Sequence, residues 1–276
     1  MNNLKIFNSI NEFNLAKGDL PKLTVVPTMG NLHLGHISLI DIAKKFNNKI
    51  ISTIYINKLQ FNDVNDFENY PKTIDKDIEL LEKHGCDYLL IPDSSILDEI
   101  EYIKAPIKKS QKLCGLNRPG HFDGVLTILN RLFEIIKPDT AIFGKKDYQQ
   151  FVLVRDFIAD YNLKIKIIGA ETVRETNGLA LSSRNNLLSD DTKEIAAFLY
   201  ATLKNIETNK VNLSSDLLNS KINFLTSKGF EVDYLISCNE ESFEESFDIT
   251  NENLLLAVAA KINNIRLIDN IVLTKL

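Results

Sequence analysis

The sequence predicts an α/β fold: a doubly wound parallel sheet through most of the chain, then a second, smaller α+β domain. Two observations predict it. Short β-rich apolar runs alternate with helix-compatible stretches over the first part of the chain, and after Asn185 the pattern changes to helical segments followed by strand-like runs. A length of 276 residues exceeds the usual single-domain size, which suits one large domain with an appendage.

The elements follow in order. Residues 23–26 form a strand, a Pro-Thr-Met-Gly turn follows, and helical periodicity runs over 36–46. A second strand is expected at 50–56, a polar-faced helix at 73–83, and a third strand at 88–91 closed by Pro92. Residues 125–136 are amphipathic, 140–143 form a strand entering a Gly-Lys-Lys-Asp turn, 148–159 a helix and 165–168 another strand. Such β-α repetition implies parallel pairing in a Rossmann-like sheet. Beyond it lie helices near 192–208 and 214–226 and strand-like runs at 232–236, 254–259 and 271–273. We place the domains at 1–174 and 175–276, the second reading as a lid.

Composition narrows the function. With 44% hydrophobic and 25% charged residues the chain matches an ordinary soluble globular protein and not a disordered one. A net charge of -5 argues against nucleic acid, whose phosphate backbone is bound by clustered Lys and Arg. Cys86, Cys114 and Cys238 are odd in number and widely spaced, which fits reduced thiols and a cytoplasmic location better than a disulfide frame or zinc site. No apolar run nears the roughly 20 residues that span a bilayer, and Asn, Glu and Lys stand where a signal peptide would be apolar.

Three loops carry the candidate chemistry. PTMGNLHLGH sets His33 and His36 three residues apart where a glycine-containing loop enters a helix. A helix start offers unpaired backbone N–H groups and a partial positive charge for phosphates, and Gly30 and Gly35 remove side chains that would block approach. The imidazoles add donors for the charge that develops when an α-phosphate is attacked and pyrophosphate leaves. The alternatives are histidines satisfied by backbone carbonyls, or two zinc ligands, although no neighbouring Cys or carboxylate completes a metal set. FGKKDYQQ is a second glycine turn at the carboxyl edge of a strand, where open α/β sheets bind ligands. There Lys146 can offset triphosphate charge, Asp147 can accept from ribose hydroxyls and Gln150 can face the same crevice. Taken alone, a Lys-Asp pair at this place reads as an N-cap with a solvated lysine. In LALSSRN, the hydroxyls of Ser182 and Ser183 and the guanidinium of Arg184 suit a phosphate clamp on a loop that closes over ATP, or else a Ser-rich helix cap.

Together with Asn57 and the following LQF at 59–61, YPKT at 70–73, RPGHF at 118–122, VRETNGLALSSRN and RLIDN at 266–270, these segments resemble the pantothenate synthetase family. That family belongs to the nucleotidyltransferase superfamily and shares its phosphate loop with class I aminoacyl-tRNA synthetases. The resemblance implies that pantoate attacks ATP to give pantoyl-adenylate and pyrophosphate, and that β-alanine then displaces AMP. Carried over by position, Met29, Gly30, Asn31, Leu32, His33, Leu34, Gly35 and His36 would hold ATP with Gly144, Lys145, Lys146 and Asp147. Val173 would touch the adenine, and Leu181, Ser182, Ser183 and Arg184 would cover the phosphates. His36 would be the catalytic histidine, assisted by His33, Lys146 and Arg184. Gln60 and Gln150 would bind pantoate, with Gln60 also near the β-alanine subsite, because an amide both donates and accepts. Arg118 reads as a phosphate or dimer contact and His121 as structural. Mg²⁺ is expected on the nucleotide phosphates with no named protein ligand, and a homodimer is implied.

Four positions depart from the family pattern: Lys58 for a proline, Lys145 for an acid, Asp123 for an arginine and Ile265 for a threonine. Lys58 bears on the rigidity of the loop presenting Gln60, since proline would fix its φ. Lys145 and Asp123 change the field in opposite senses and would compensate each other as neighbours. Two rival functions are a nucleotidyltransferase acting on a phosphorylated acceptor, which would favour extra Arg or Lys over the Gln60 and Gln150 pair, and a non-catalytic ATP sensor, which would not need both histidines, Lys146 and Arg184.

Overall fold

The computed structural model describes residues 4–276. Strands β1 (Lys5–Phe7), β2 (Leu23–Thr28), β3 (Lys49–Ile54), β4 (Tyr88–Leu90), β5 (Thr140–Gly144) and β6 (Lys166–Ala170) form one sheet in the order β1-β4-β3-β2-β5-β6. Every neighbouring pair is parallel. The helices of this part are α1 (Ile10–Ala16), α2 (Leu34–Ala43), α3 (Val64–Glu68), α4 (Ile74–Lys83), α5 (Ile107–Ser110), α6 (His121–Ile136) and α7 (Tyr148–Asp160).

Successive strand residues point to opposite faces, and here both faces are apolar. Val25, Ile51, Leu90, Ala141 and Phe143 pack with Leu126 and Leu129 of α6 and Leu153 and Phe157 of α7. Their neighbours Val26, Ile50, Leu89 and Ile142 pack with Leu39 and Ile40 of α2 and Leu81 of α4. Helices on both faces are what the run-like strands predict. Winding reverses at β2, which pairs with β3 on one side and β5 on the other. The crevice beyond the carboxyl ends of β2 and β5 is therefore the switch point at which such sheets take ligands.

The rest of the chain holds α8 (Asp190–Ala196), α9 (Phe198–Thr208), α10 (Ser215–Ser227) and an antiparallel sheet of β7 (Glu231–Asn239), β8 (Leu254–Ile262) and β9 (Ile265–Leu273). One face of β8 buries Leu254, Leu256 and Val258 against Leu203 and Ile206 of α9 and Leu225 of α10. Its other face sets Leu255 and Ala257, with Cys238 and Phe243, against Tyr148 and Val152 of α7. The small sheet is thus clamped between its own helices and a helix of the large sheet.

Several expected bounds move. The helix expected at 36–46 starts at Leu34, and the one at 192–208 is two helices meeting at Ala197. The run at 271–273 is only the tail of β9, whose polar Arg266, Asp269 and Asn270 break the apolar pattern. β1 and α1 were not expected at all. The three cysteines carry no disulfide, and among the described residues no helix is long and apolar enough to cross a membrane.

Candidate active site

His33 is the N-cap of α2 and His36 stands in its first turn, and the two cap the helix reciprocally. The Nδ1 of His33 accepts from the backbone N–H of Gly35 at 3.1 Å, and the Nδ1 of His36 accepts from the N–H of His33 at 3.3 Å. A nitrogen that accepts carries no proton, so each neutral ring holds its proton on Nε2. Burial drives both rings to the neutral form, pushing His33 down to about 4 and His36 to about 3. The nearby Lys146 ammonium lowers His33 further, and the His33 ring does the same to His36. At this helix start the N–H groups of His33 and Gly35 are taken by the imidazoles, whose Nε2–H groups are further donors. Gly35 has a second use besides its place on the cavity wall, since a Cβ there would meet Cε1 of His33 at 2.8 Å. It makes room for the histidine ring itself.

Behind the histidines, the loop is held by a residue that sequence reasoning missed. Asp77 of α4, only 2% exposed, accepts from the backbone N–H of Asn31 at 2.9 Å and of Leu32 at 2.8 Å, and from the Thr73 hydroxyl at 3.1 Å. Gly30 (φ 81) and Asn31 (φ 51) make the left-handed bend that turns these groups toward α4, and a Cβ on Gly30 would meet Asp77 Oδ2 at 3.0 Å. The backbone N–H groups of Asn31 and Leu32 thus point to Asp77, and Leu34 is 62% exposed.

A cavity of about 290 Å³ opens at the ends of β2 and β5, lined by His33, His36, Lys146, Arg184, Gln60 and Gln150 among others. Met29, Gly35, Gly144, Asp147, Val173 and the 181–183 segment also reach its wall. Of the candidates, Gly30, Asn31, Leu32, Leu34 and Lys145 do not. Asp147 occupies the N-cap position of α7 without making a capping hydrogen bond, and the Lys146 side chain is largely buried 3.7 Å from it. A simple N-cap with a solvated lysine is therefore not what forms. The backbone of Lys146 is fixed from the small sheet, because the Asn270 amide donates to the carbonyls of Lys145 at 3.1 Å and Lys146 at 2.8 Å. Next to it Asp269 holds Arg174 through two hydrogen bonds of 2.6 and 2.9 Å. Arg184 sits on a short 3-10 helix (Ser183–Leu187) capped by Ser182, with Asp66 of α3 at 3.7 Å.

Gln60 ends a one-turn 3-10 helix (Lys58–Gln60). Its Oε1 accepts from the Asn57 amide at 3.0 Å, and the same amide donates to the Gly124 carbonyl at 3.0 Å. Gln150, in the first turn of α7, lies on the same wall, whereas Gln149 turns away to donate to the carbonyls of Lys109 and Lys112. Among the described residues no three His, Cys, Asp or Glu side chains gather as a metal site.

A family model described as Pantoate-beta-alanine ligase matches residues 5–272. The chain belongs to that family. Pantothenate synthetase of Chromohalobacter salexigens is 39% identical over 268 residues, 95% of this chain and 94% of that one. The crystal structure of pantothenate synthetase from Thermus thermophilus superposes with a TM-score of 0.90 at 32% identity, covering 98% of this chain and 100% of the other. Pantoate-beta-alanine ligase from Francisella tularensis, complexed with beta-gamma ATP and beta-alanine, superposes with a TM-score of 0.82 at 33% identity, covering 98% and 97%.

Within the pantoate-beta-alanine ligase family the four departures have local reasons. Lys58 is exposed, and its loop is held instead by Asn57 and by Gly124, where a Cβ would strike the Leu59 carbonyl oxygen at 2.2 Å. Lys145 and Asp123 do not compensate each other. Lys145 pairs with Glu171 at 2.5 Å, while Asp123 pairs with Lys104 at 2.8 Å and accepts from the N–H of Ala105 at 2.9 Å. Ile265 follows Asn263 (φ 49) and Asn264 (φ 62), a two-residue hairpin turn, and packs on the core of the small sheet.

Proposed function

We propose that this chain condenses pantoate with β-alanine at the expense of ATP, through a pantoyl-adenylate. The reading is carried by one observation: two neutral imidazoles, Lys146 and Arg184 share a cavity with Gln60 and Gln150. In the first step a pantoate carboxylate oxygen attacks the α-phosphorus, the bond to the bridging oxygen breaks, and pyrophosphate leaves with the electron pair. The Nε2–H groups of His33 and His36 and the cations of Lys146 and Arg184 meet the charge that moves onto the phosphate oxygens. With Nδ1 of each neutral ring accepting from the backbone, the one N–H that each imidazole donates is fixed on Nε2 before the reaction begins. In the second step the β-alanine amine attacks the acyl carbon, AMP departs, and the amine loses a proton.

Met29, Gly35, Gly144, Asp147, Val173, Leu181, Ser182 and Ser183 are assigned to ATP on their place in the cavity wall. For Gly30, Asn31, Leu32, Leu34 and Lys145 the role is to frame the loops that present those groups. Gln60 and Gln150 take the hydroxyls and carboxylate of pantoate, with Gln60 also beside β-alanine. Mg²⁺ is proposed to ride on the phosphates, which fits a wall that supplies three cations, Lys146, Arg184 and Arg118, and only two carboxylates, Asp147 and Glu171. Units at 1–174 and 175–276, a homodimer and a cytoplasmic location complete the proposal, the last supported by three thiols free of disulfides.

The test is pantoate-dependent exchange of labelled pyrophosphate into ATP without β-alanine. Exchange is expected, and His36→Ala should slow it by roughly 10² to 10³, the scale for one preorganised donor. Absence of exchange in the unaltered protein would end this reading, and an unimpaired His36→Ala would remove His36 from the chemistry.

A further inference from the structure

Among the six arginines, Arg131, Arg155, Arg174, Arg184 and Arg266 each face a carboxylate within 4.0 Å. Arg118 has no such partner among the described residues. Its Nη1 donates to His121 Nε2 at 3.1 Å and its Nη2 to the Gln60 carbonyl at 3.3 Å. His121, buried and pushed down to about 4 by burial and then by Arg118, donates its Nδ1–H to the same carbonyl at 2.8 Å. That bond leaves Nε2 as the acceptor Arg118 needs, so the neutral histidine orients the guanidinium. The remaining N–H groups of Arg118 are uncommitted. Burial, and then the charges of Arg184 and Arg266, disfavour its cation, yet a guanidinium keeps its charge. A half-buried charge without a counter-ion is costly unless a ligand supplies one.

Arg118 also lines both the cavity described above and a second, adjoining one of about 480 Å³ between the two sheets. Three anionic groups take part in the proposed reaction. The triphosphate falls to His33, His36, Lys146 and Arg184, and the pantoate carboxylate loses its charge on adenylation. Only the carboxylate of β-alanine stays charged throughout. Its amine must reach an acyl carbon beside Gln60, and two methylene groups put the carboxylate about 4 to 5 Å from that nitrogen. Arg118 touches the backbone of Gln60 itself.

We propose that Arg118 binds the carboxylate of β-alanine, held in place by His121, and so sets the preference for an acidic amine substrate. This rests on the function proposed above, with Gln60 at the amine subsite. A charge-assisted, two-pronged contact of this kind is worth a 10- to 100-fold change, at about a factor of ten per 1.4 kcal/mol.

The test compares the unaltered chain with Arg118→Gln and Arg118→Lys in three measurements: pyrophosphate exchange without amine, the KM for β-alanine, and use of 3-aminopropanamide, which lacks the carboxylate charge. Arg118→Gln should raise the KM for β-alanine roughly 10- to 100-fold while exchange and the KM for pantoate move by less than about twofold. The preference for β-alanine over the amide should collapse in Arg118→Gln and return in part with Arg118→Lys, which restores charge without the fork. Exchange falling in step with overall turnover would place Arg118 on the phosphates, on pantoate or in folding, and would overturn the proposal. So would an undiminished preference for the acid. A lack of exchange in the unaltered chain would fail the broader function instead.

Discussion

His36 and His33 owe their low proton affinity first to burial, which brings them to about 3 and about 4 against an ordinary 6.5. His121, at about 4, behaves alike. Between those values and 6.5 the unfolded chain binds protons that the folded one refuses, so acid favours unfolding. The stability that these neutral rings contribute is therefore complete above 6.5 and drains away as pH falls toward 4 and then 3. The expected outcome is a melting temperature that declines steadily below 6.5, with imidazole resonances of His36 that stay neutral to below about 5. A His36 titration midpoint near 6.5 would contradict the donor role built on its tautomer. At this scale the sequence was informative where chemistry and spacing coincide, as in HLGH and KKDYQQ. It was silent on which ring nitrogen is free, because that depends on backbone hydrogen bonds formed only once α2 exists. For Arg118 it offered only a phosphate or dimer contact, by resemblance; that this arginine has no carboxylate partner among the described residues becomes visible only when the other five have found theirs.

The elements show how position is transmitted. Asp77 projects from α4 to hold two N–H groups 45 and 46 residues back along the chain. Nothing in YPKTIDKD marks the second acid, Asp77, as different from the first, since an acidic first turn is ordinary for any helix. Asp77→Ala would leave two backbone donors and the Thr73 hydroxyl unpaired in a dry place. A loss of roughly 2 to 5 kcal/mol in stability is expected, summed from about 1 to 3 per orphaned group and partial relaxation. Exchange should also slow about 10²-fold as the loop drifts, which the milder Asp77→Asn would report without global unfolding. Denaturant melts and exchange rates check this, and wild-type values in both would show the loop to be self-supporting. Strand positions were legible wherever apolar runs were continuous, as in β2, β3 and β5, because both faces of the sheet are covered. β9 was read only at its end, since Asp269 and Asn270 serve Arg174 and the Lys145–Lys146 carbonyls at the expense of the apolar pattern.

For the whole molecule, winding order explains where the cavity lies: β2 and β5 are neighbours in space although more than a hundred residues separate them, and their loops meet at the reversal. Alternating runs sufficed to predict this doubly wound plan. What they did not reveal is the attachment of the small sheet, because the inner face of β8 reads the same whether it meets its own helices or a foreign one. Leu255 and Ala257 in fact lean on Tyr148 and Val152, and Asn270 reaches the carbonyl of Lys146 across 124 positions of sequence. The C-terminal stretch is accordingly keyed into the rest rather than hung from it. Calorimetry should record one cooperative endotherm, and chains nicked by protease between 175 and 190 should co-elute on gel filtration as a single species. Two separate endotherms, or halves that drift apart on the column, would mean that the contact with α7 is too slight to weld them, and entry of substrate could then proceed by swinging the C-terminal piece away instead of by local movement of the loops at the rim.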